Sequence, residues 1–100
     1  MKFDHVAINV QDMKKSVDWY TKKFNAETLY SDDTWTMLKV GDTKIALVLN
    51  SSHPPHFAFR VDSVDKIPSS EMYTHRDASI YSYIEDPDGN VLEVLCYSTE

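Results

Sequence analysis

The residues best suited to chemistry in this chain are two histidines and a glutamate, each set in a strand-like run. His5 lies in Phe3–Val10, His56 in His56–Val61 and Glu93 in Val91–Cys96. Glu93 interrupts a β-branched, apolar run, and a carboxylate in such a strand is seldom buried unless it is paired or binds a metal. The histidines stand at matched places. His56-Phe57-Ala58-Phe59-Arg60-Val61 repeats His5-Val6-Ala7-Ile8-Asn9-Val10, with His, Ala and Val in common at an offset of 51 residues. That interval is half the chain and marks an internal duplication. Equivalent strands of a duplicated unit lie about a pseudo-twofold axis, so His5 and His56 are expected to face one another, with Glu93 beside them. Two imidazoles and one carboxylate leave coordination positions open and suit a divalent Fe, Mn, Ni or Zn ion, which would polarise a substrate oxygen. A single strand histidine is more often a satisfied core or surface residue. It is the matched pair, with Glu93, that points to a site.

The elements that must position these residues follow from periodicity. Phe3–Val10 alternates as a strand, with Val6, Ile8 and Val10 on one face and His5, Ala7 and Asn9 on the other. Asp12 is suited to N-cap a helix in which Met13, Val17, Tyr20 and Phe24 form a core-facing stripe, and Asn25 to end it in the left-handed region. Strands are expected near Glu27–Tyr30, Trp35–Val40 and Lys44–Leu49, then a linker at Ser51–Pro55. The second half restarts as β-α-β-β-β. Pro68 and nearby serines leave room for only a turn or two of helix between Asp62 and Glu71. Strand signals return near Met72-Tyr73, at Ser79–Ile84 and at Val91–Cys96. Asp86-Pro87-Asp88-Gly89-Asn90 is a turn, with Gly89 and Asn90 best able to take positive φ. Overlaying the halves puts Ala46 where the second half has Glu93, so the carboxylate belongs to one half only.

One hundred residues make a single domain, with modules at about 1–50 and 54–100. The formal charge of −6 argues against nucleic acid or an anionic membrane as partner. Lone Cys96 fits a reducing cytoplasm, and Met1-Lys2-Phe3 leads into a strand without an export signal. No segment approaches the roughly 20 apolar residues of a membrane span.

Phe3-Asp4-His5-Val6-Ala7-Ile8, Asp12-Met13 with Ser16 and Trp19-Tyr20, His56-Phe57-Ala58-Phe59, and above all Asp86-Pro87-Asp88-Gly89-Asn90 leading to Glu93 resemble the vicinal oxygen chelate superfamily. That superfamily includes glyoxalase I, extradiol dioxygenases, fosfomycin-resistance enzymes and bleomycin-binding proteins. The resemblance covers nearly the whole chain and implies an α+β fold of two βαβββ modules forming a U-shaped mixed sheet. By position it makes His5, His56 and Glu93 metal ligands, and Glu93 the candidate catalytic residue. Glyoxalase I-type members carry a fourth ligand where this chain has Ala46, whereas a His-His-Glu set is the pattern of extradiol dioxygenases. The implied function is a divalent-metal lyase, isomerase or ring-opening dioxygenase acting on a vicinal-oxygen small molecule. The alternatives are a metal-free drug-binding protein of the bleomycin-resistance kind and a structural dimer with a vestigial site. The shortened second helix points to an exposed patch and a homodimer.

Around the triad, Asn9, Trp35, Met37, Ala46, Arg60 and Tyr97 are candidates to line a substrate pocket. Arg60 suits an anionic oxygen, or else an ion pair. Trp35 and Met37 suit an apolar wall or simple core filling. Tyr81, Tyr83 and Tyr97 suit proton donation or edge packing. His53 and His75 fall in loop-like sequence and are expected to be solvated, as are Lys14, Lys15, Lys22 and Lys23.

Overall fold

A computed structural model describes residues 1–49 and 54–97; His53 and most of the expected linker lie outside them. The described elements are β1 (Lys2–Val10), α1 (Met13–Phe24), β2 (Glu27–Ser31), β3 (Trp35–Val40), β4 (Thr43–Leu49), β5 (His56–Arg60), a single 3-10 turn (Val64–Lys66), β6 (Tyr73–Thr74), β7 (Ile80–Glu85) and β8 (Val91–Cys96). The doubled β-α-β-β-β order is present, with the second helix contracted to one turn.

Contacts divide the chain into two units, residues 5–55 and residues 1–4 together with those from 56 onward. The sequence had put the boundary between 50 and 54 and kept the N-terminus with the first half. Residues 1–4 group with the second, where buried Asp4 has two partners. Its carboxylate takes Arg60 Nη1 at 3.3 Å on Oδ1 and the Tyr97 hydroxyl at 2.6 Å on Oδ2.

In the first unit the strand order is β2-β3-β4-β1, with β1 parallel to β4 and the other pairs antiparallel. Helix α1 starts where Asp12 Oδ1 accepts the Lys15 N–H at 3.0 Å. It stops at Asn25, whose φ of 55° is the left-handed conformation that Asn tolerates. Lys22 and Lys23 in the last turn complement the helix dipole. Met13, Val17 and Tyr20 pack on Ala26, Leu38 and Leu47, with Ile8 and Val10 of β1 on the same face. Phe24 departs from the expected stripe. It stands at the last helical position, 53% exposed, and packs edge-on against Trp19 rather than into the core. The opposite face of the strands collects Ala7, Met37, Ala46 and Val48, with Tyr30 and Trp35 stacked at 4.3 Å.

In the second unit the order is β5-β8-β7-β6, with β5 parallel to β8. Val61, Ile67, Val94 and Cys96 form a core with Val64 of the 3-10 turn. Alternation then sends Glu93 and Leu95 to the other face. Strand register establishes the repeat equivalence directly. Ala7 pairs with Ala46 in one unit as Ala58 pairs with Glu93 in the other. Ala46 is therefore the structural counterpart of Glu93.

Two hairpin turns of this unit share one hydrogen-bond pattern. At 86–90 the Asp86 N–H donates to the Asn90 carbonyl and the Gly89 N–H to the Asp86 carbonyl. Gly89 alone takes positive φ, at 85°. Asn90, expected to share that role, instead donates from its backbone and side chain to the Asp86 carboxylate. These bonds hold the exposed Asp86 carboxyl below its ordinary range. At 75–79 the His75 N–H donates to the Ser79 carbonyl and the Ala78 N–H to the His75 carbonyl, with Ala78 at φ 73°. This left-handed position of a three-residue hairpin loop normally takes glycine. Ala78→Gly is accordingly expected to stabilise the protein by about 0.5–1 kcal/mol, the relieved strain exceeding the added chain entropy. A raised denaturation midpoint at unchanged slope would show it.

Candidate metal centre

The second unit brings His56 and Glu93 together. His56 Nε2 lies 3.3 Å from Glu93 Oε1, and both side chains are almost wholly buried. A divalent ion bound at about 2.1 Å would hold two neighbouring ligand atoms about 3.0 Å apart in octahedral geometry and about 3.4 Å apart in tetrahedral geometry. The observed separation lies within that interval, so the pair suits one edge of a metal site. Tyr83, the cross-strand partner of Glu93, sets its ring edge-on to the His56 imidazole at 5.0 Å. This packing restrains the imidazole beside the carboxylate.

The other carboxylate oxygen has a partner that the sequence did not disclose. His75 Nε2 lies 2.5 Å from Glu93 Oε2, where an ionised carboxylate makes the imidazole the donor, and the ring stacks on Tyr81 with centroids 3.6 Å apart and planes 10° from parallel. The expectation of a solvated His75 is thus corrected, its side chain being 22% exposed. Its loop is a tight hairpin that folds the imidazole back over β7. The ordinary signals of a site, an apolar strand or a repeat match, are both missing at His75. A hint existed only in the nearby tyrosines, on which a ring can stack.

His5 is buried on β1 in the first unit, one residue before the Val6–Ile45 pair. Four of the proposed pocket residues gather in that unit. Asn9 pairs with Val48, which also pairs with Trp35, while Ala46 pairs with both Ala7 and Met37. These rows share the face opposite α1, so Trp35 and Met37 are on the side required for a pocket wall. Arg60 and Tyr97 are engaged otherwise. Arg60 also donates to the Phe3 carbonyl at 3.1 Å, so the ion-pair reading of this residue describes its contacts. Tyr97 follows the end of β8 and gives its hydroxyl to Asp4.

Burial, then the charge of Glu93, raises the Tyr83 phenol far above its ordinary range. Burial and the hydrogen bond to Asp4 do the same for Tyr97. Both phenols remain protonated where free tyrosine begins to ionise. In the unfolded chain these phenols ionise near pH 10, so above that pH the unfolded state binds fewer protons than the folded one. Stability is expected to be fully present below about pH 10 and to fall as pH rises beyond it. The fall should be shallower in Tyr83→Phe and Tyr97→Phe, as read by denaturant midpoints from pH 9 to 11.5 or so.

The chain is a doubled βαβββ unit with a buried histidine–carboxylate pair, and sequence comparison shows its family. The profile of the Glyoxalase/Bleomycin resistance protein/Dioxygenase superfamily matches residues 2–69, and the chain belongs to that superfamily. A curated relative, the trivalent organoarsenical cleaving enzyme of Bacillus sp. (strain MD1), is 24% identical over 121 residues, covering 99% of this chain and 75% of the relative. Among solved structures, a hypothetical protein from Bacillus halodurans C-125 is similar with a TM-score of 0.80 at 17% identity, over 99% of this chain and 96% of its own. The Mn(II)-bound glyoxalase from Novosphingobium aromaticivorans is similar with a TM-score of 0.76 at 19% identity, over 96% of this chain and 38% of its own. These likenesses extend over both units and establish the shared fold.

Proposed function

We propose that the protein is a divalent-metal enzyme that cleaves or rearranges a small molecule held through two neighbouring donor atoms. The observation that carries this reading is the buried Glu93 Oε1 set 3.3 Å from His56 Nε2 in an apolar strand. His75 satisfies only Oε2 of this buried carboxylate, and Oε1 with His56 Nε2 is the edge we propose for a cation. His5 is the third ligand we propose, as the repeat equivalent of His56 and buried on its own strand. When bound, the ion acts as a Lewis acid on a substrate oxygen. Iron, manganese, nickel and zinc all accept such a donor set.

The chain's own residues set the rest. With Ala46 in the register position of Glu93, the first unit adds no second carboxylate, so Glu93 is the carboxylate that would take or return a proton. Within the first unit, Trp35 and Met37 share one face with Tyr30, an apolar and partly aromatic surface suited to a planar ligand. Bond-cleaving chemistry, by lyase action or ring-opening dioxygenation, is favoured over a glyoxalase I-type isomerisation. Members of the latter type carry a fourth ligand, usually Glu, Gln or His, at the place of Ala46.

The cysteine content of this chain does not favour an organoarsenical substrate. Trivalent arsenic is a soft centre suited to paired thiolates, and this sequence has one cysteine, buried Cys96. An oxygen-bearing organic molecule matches the donor set better. A single cysteine, which cannot form an internal disulfide, also accords with a cytoplasmic setting. A homodimer is the assembly we expect, since Met72 and Tyr73 are exposed in the unit whose helix is contracted. A monomeric mass by light scattering would remove that expectation.

The test is elemental analysis of protein purified without chelators, alongside His56→Ala. Near-stoichiometric metal that is lost in the variant supports the reading. A parent that stays metal-free after reconstitution with each ion overturns it. That outcome would favour the second reading, a metal-free binder of planar ligands, which rests on the stacked Tyr30–Trp35 pair. Quenching of Trp35 fluorescence by aromatic ligands in a Trp19→Phe background would then follow.

A further inference from the structure

We infer that His75 is a positioning residue for the candidate centre: it holds Oε2 of Glu93 so that Oε1 is presented beside His56. This inference rests on the reading of Glu93 as a metal ligand, and adds to it a residue outside the matched repeat.

The geometry divides the carboxylate between two imidazoles. Oε1 faces His56 Nε2 at 3.3 Å, while Oε2 accepts from His75 Nε2–H at 2.5 Å. An ionised carboxylate only accepts hydrogen bonds, so the shared proton sits on the imidazole side. Glu has a long, flexible side chain, and a carboxylate free to rotate would present either oxygen, or neither, to an ion. Fixing one oxygen selects the rotamer that offers the other. Outer-sphere hydrogen bonds of this kind orient metal ligands and raise their basicity.

His75 is itself held from three sides. Its backbone closes the 75–79 hairpin through bonds to both the amide and the carbonyl of the residue. Its ring lies flat on Tyr81, which flanks Tyr83 on the face of β7 that meets Glu93. Asp77 Oδ1 accepts the Ser79 N–H at 2.9 Å and the Ser79 hydroxyl at 2.6 Å, bracing the turn. Ala78 completes the turn in the left-handed conformation. An exposed hairpin built this tightly around a non-glycine residue fits the need to place one side chain. A direct ligand role for His75 is disfavoured because it meets the carboxylate oxygen opposite the one facing His56.

The test measures Co(II) affinity and the visible absorption of the Co(II) form in the parent, His75→Ala, His75→Gln and His56→Ala. Loss of His75 is expected to weaken Co(II) binding roughly 10–100-fold while leaving the absorption pattern of the same ligand set. Gln, which can donate to Oε2, should restore most of the affinity. Unchanged affinity in His75→Ala would overturn the proposal. So would a loss as complete as in His56→Ala with an altered spectrum, since that would make His75 a direct ligand. A metal-free measurement separates this inference from the metal reading. Long-range proton–nitrogen spectra should show a downfield, exchange-protected proton on His75 Nε2 that disappears in Glu93→Leu. A His75 protonated only on Nδ1 would overturn the positioning role whether or not the parent binds metal.

Discussion

Glu93→Gln is expected to abolish turnover and to weaken divalent-metal binding by more than the roughly 10–100-fold that loss of an outer-sphere partner costs. The substitution keeps the shape and volume of the side chain and removes its charge. The buried face around it comprises Tyr83, Leu95 and the two imidazoles, so no other carboxylate stands among these groups in the second unit to replace it. The fold should survive, because an amide fills the same space and can still accept from His75. The measurement is twofold: competition against a chromophoric chelator for affinity, and thermal unfolding with and without metal. A ligand at about 100 times its Kd raises stability by about 2.7 kcal/mol, so the parent's Tm should rise with metal and the variant's should not. Equal Tm gains in both proteins would remove Glu93 from the ligand set.

Leu47→Ala should produce the largest loss of stability, about 2.7–5 kcal/mol. Leu47 is fully buried on β4, packed with Leu38 and Ala26 under Met13, Val17 and Tyr20. It thus couples helix to sheet, and α1 has no wholly buried residue of its own to compensate. Total stabilities of such domains are about 5–15 kcal/mol, so the variant would sit near the threshold of folding. Its Tm should fall by more than about 10 °C. The cavity lies on the helix-facing side, away from Ala7, Ala46 and Trp35. Metal affinity of the folded fraction at low temperature should therefore match the parent's. A loss below about 1.5 kcal/mol would mean that the surrounding side chains close the gap, as collapsible sites do.

The duplication, the strand boundaries to within a residue or two, the capping of α1 by Asp12 and Asn25, and the place of Glu93 were all legible in the sequence. Each is a local property. Alternation, capping and turn chemistry act over a few residues, and a repeat is visible by overlay. Even the equivalence of Ala46 and Glu93 could be read before strand register established it, because both follow a glycine turn at nearly the same interval.

What the sequence did not disclose depends on where a chain goes after it turns. Phe24 continued a helical stripe by spacing, yet the helix ends there and the ring is left outside. Arg60 and Tyr97 shared a predicted face with the site, but Asp4, far away in sequence, claims both. His75 lay in a polar loop that resembled solvated surface. Only the closure of the 75–79 hairpin over Tyr81 brings its imidazole to Glu93, and it stays there because a buried carboxylate must be satisfied. Local chemistry thus determined the elements and nominated Glu93. The tertiary structure decided which long-range partners meet its two oxygens, since hydrogen bonds between residues distant in sequence leave no periodic trace.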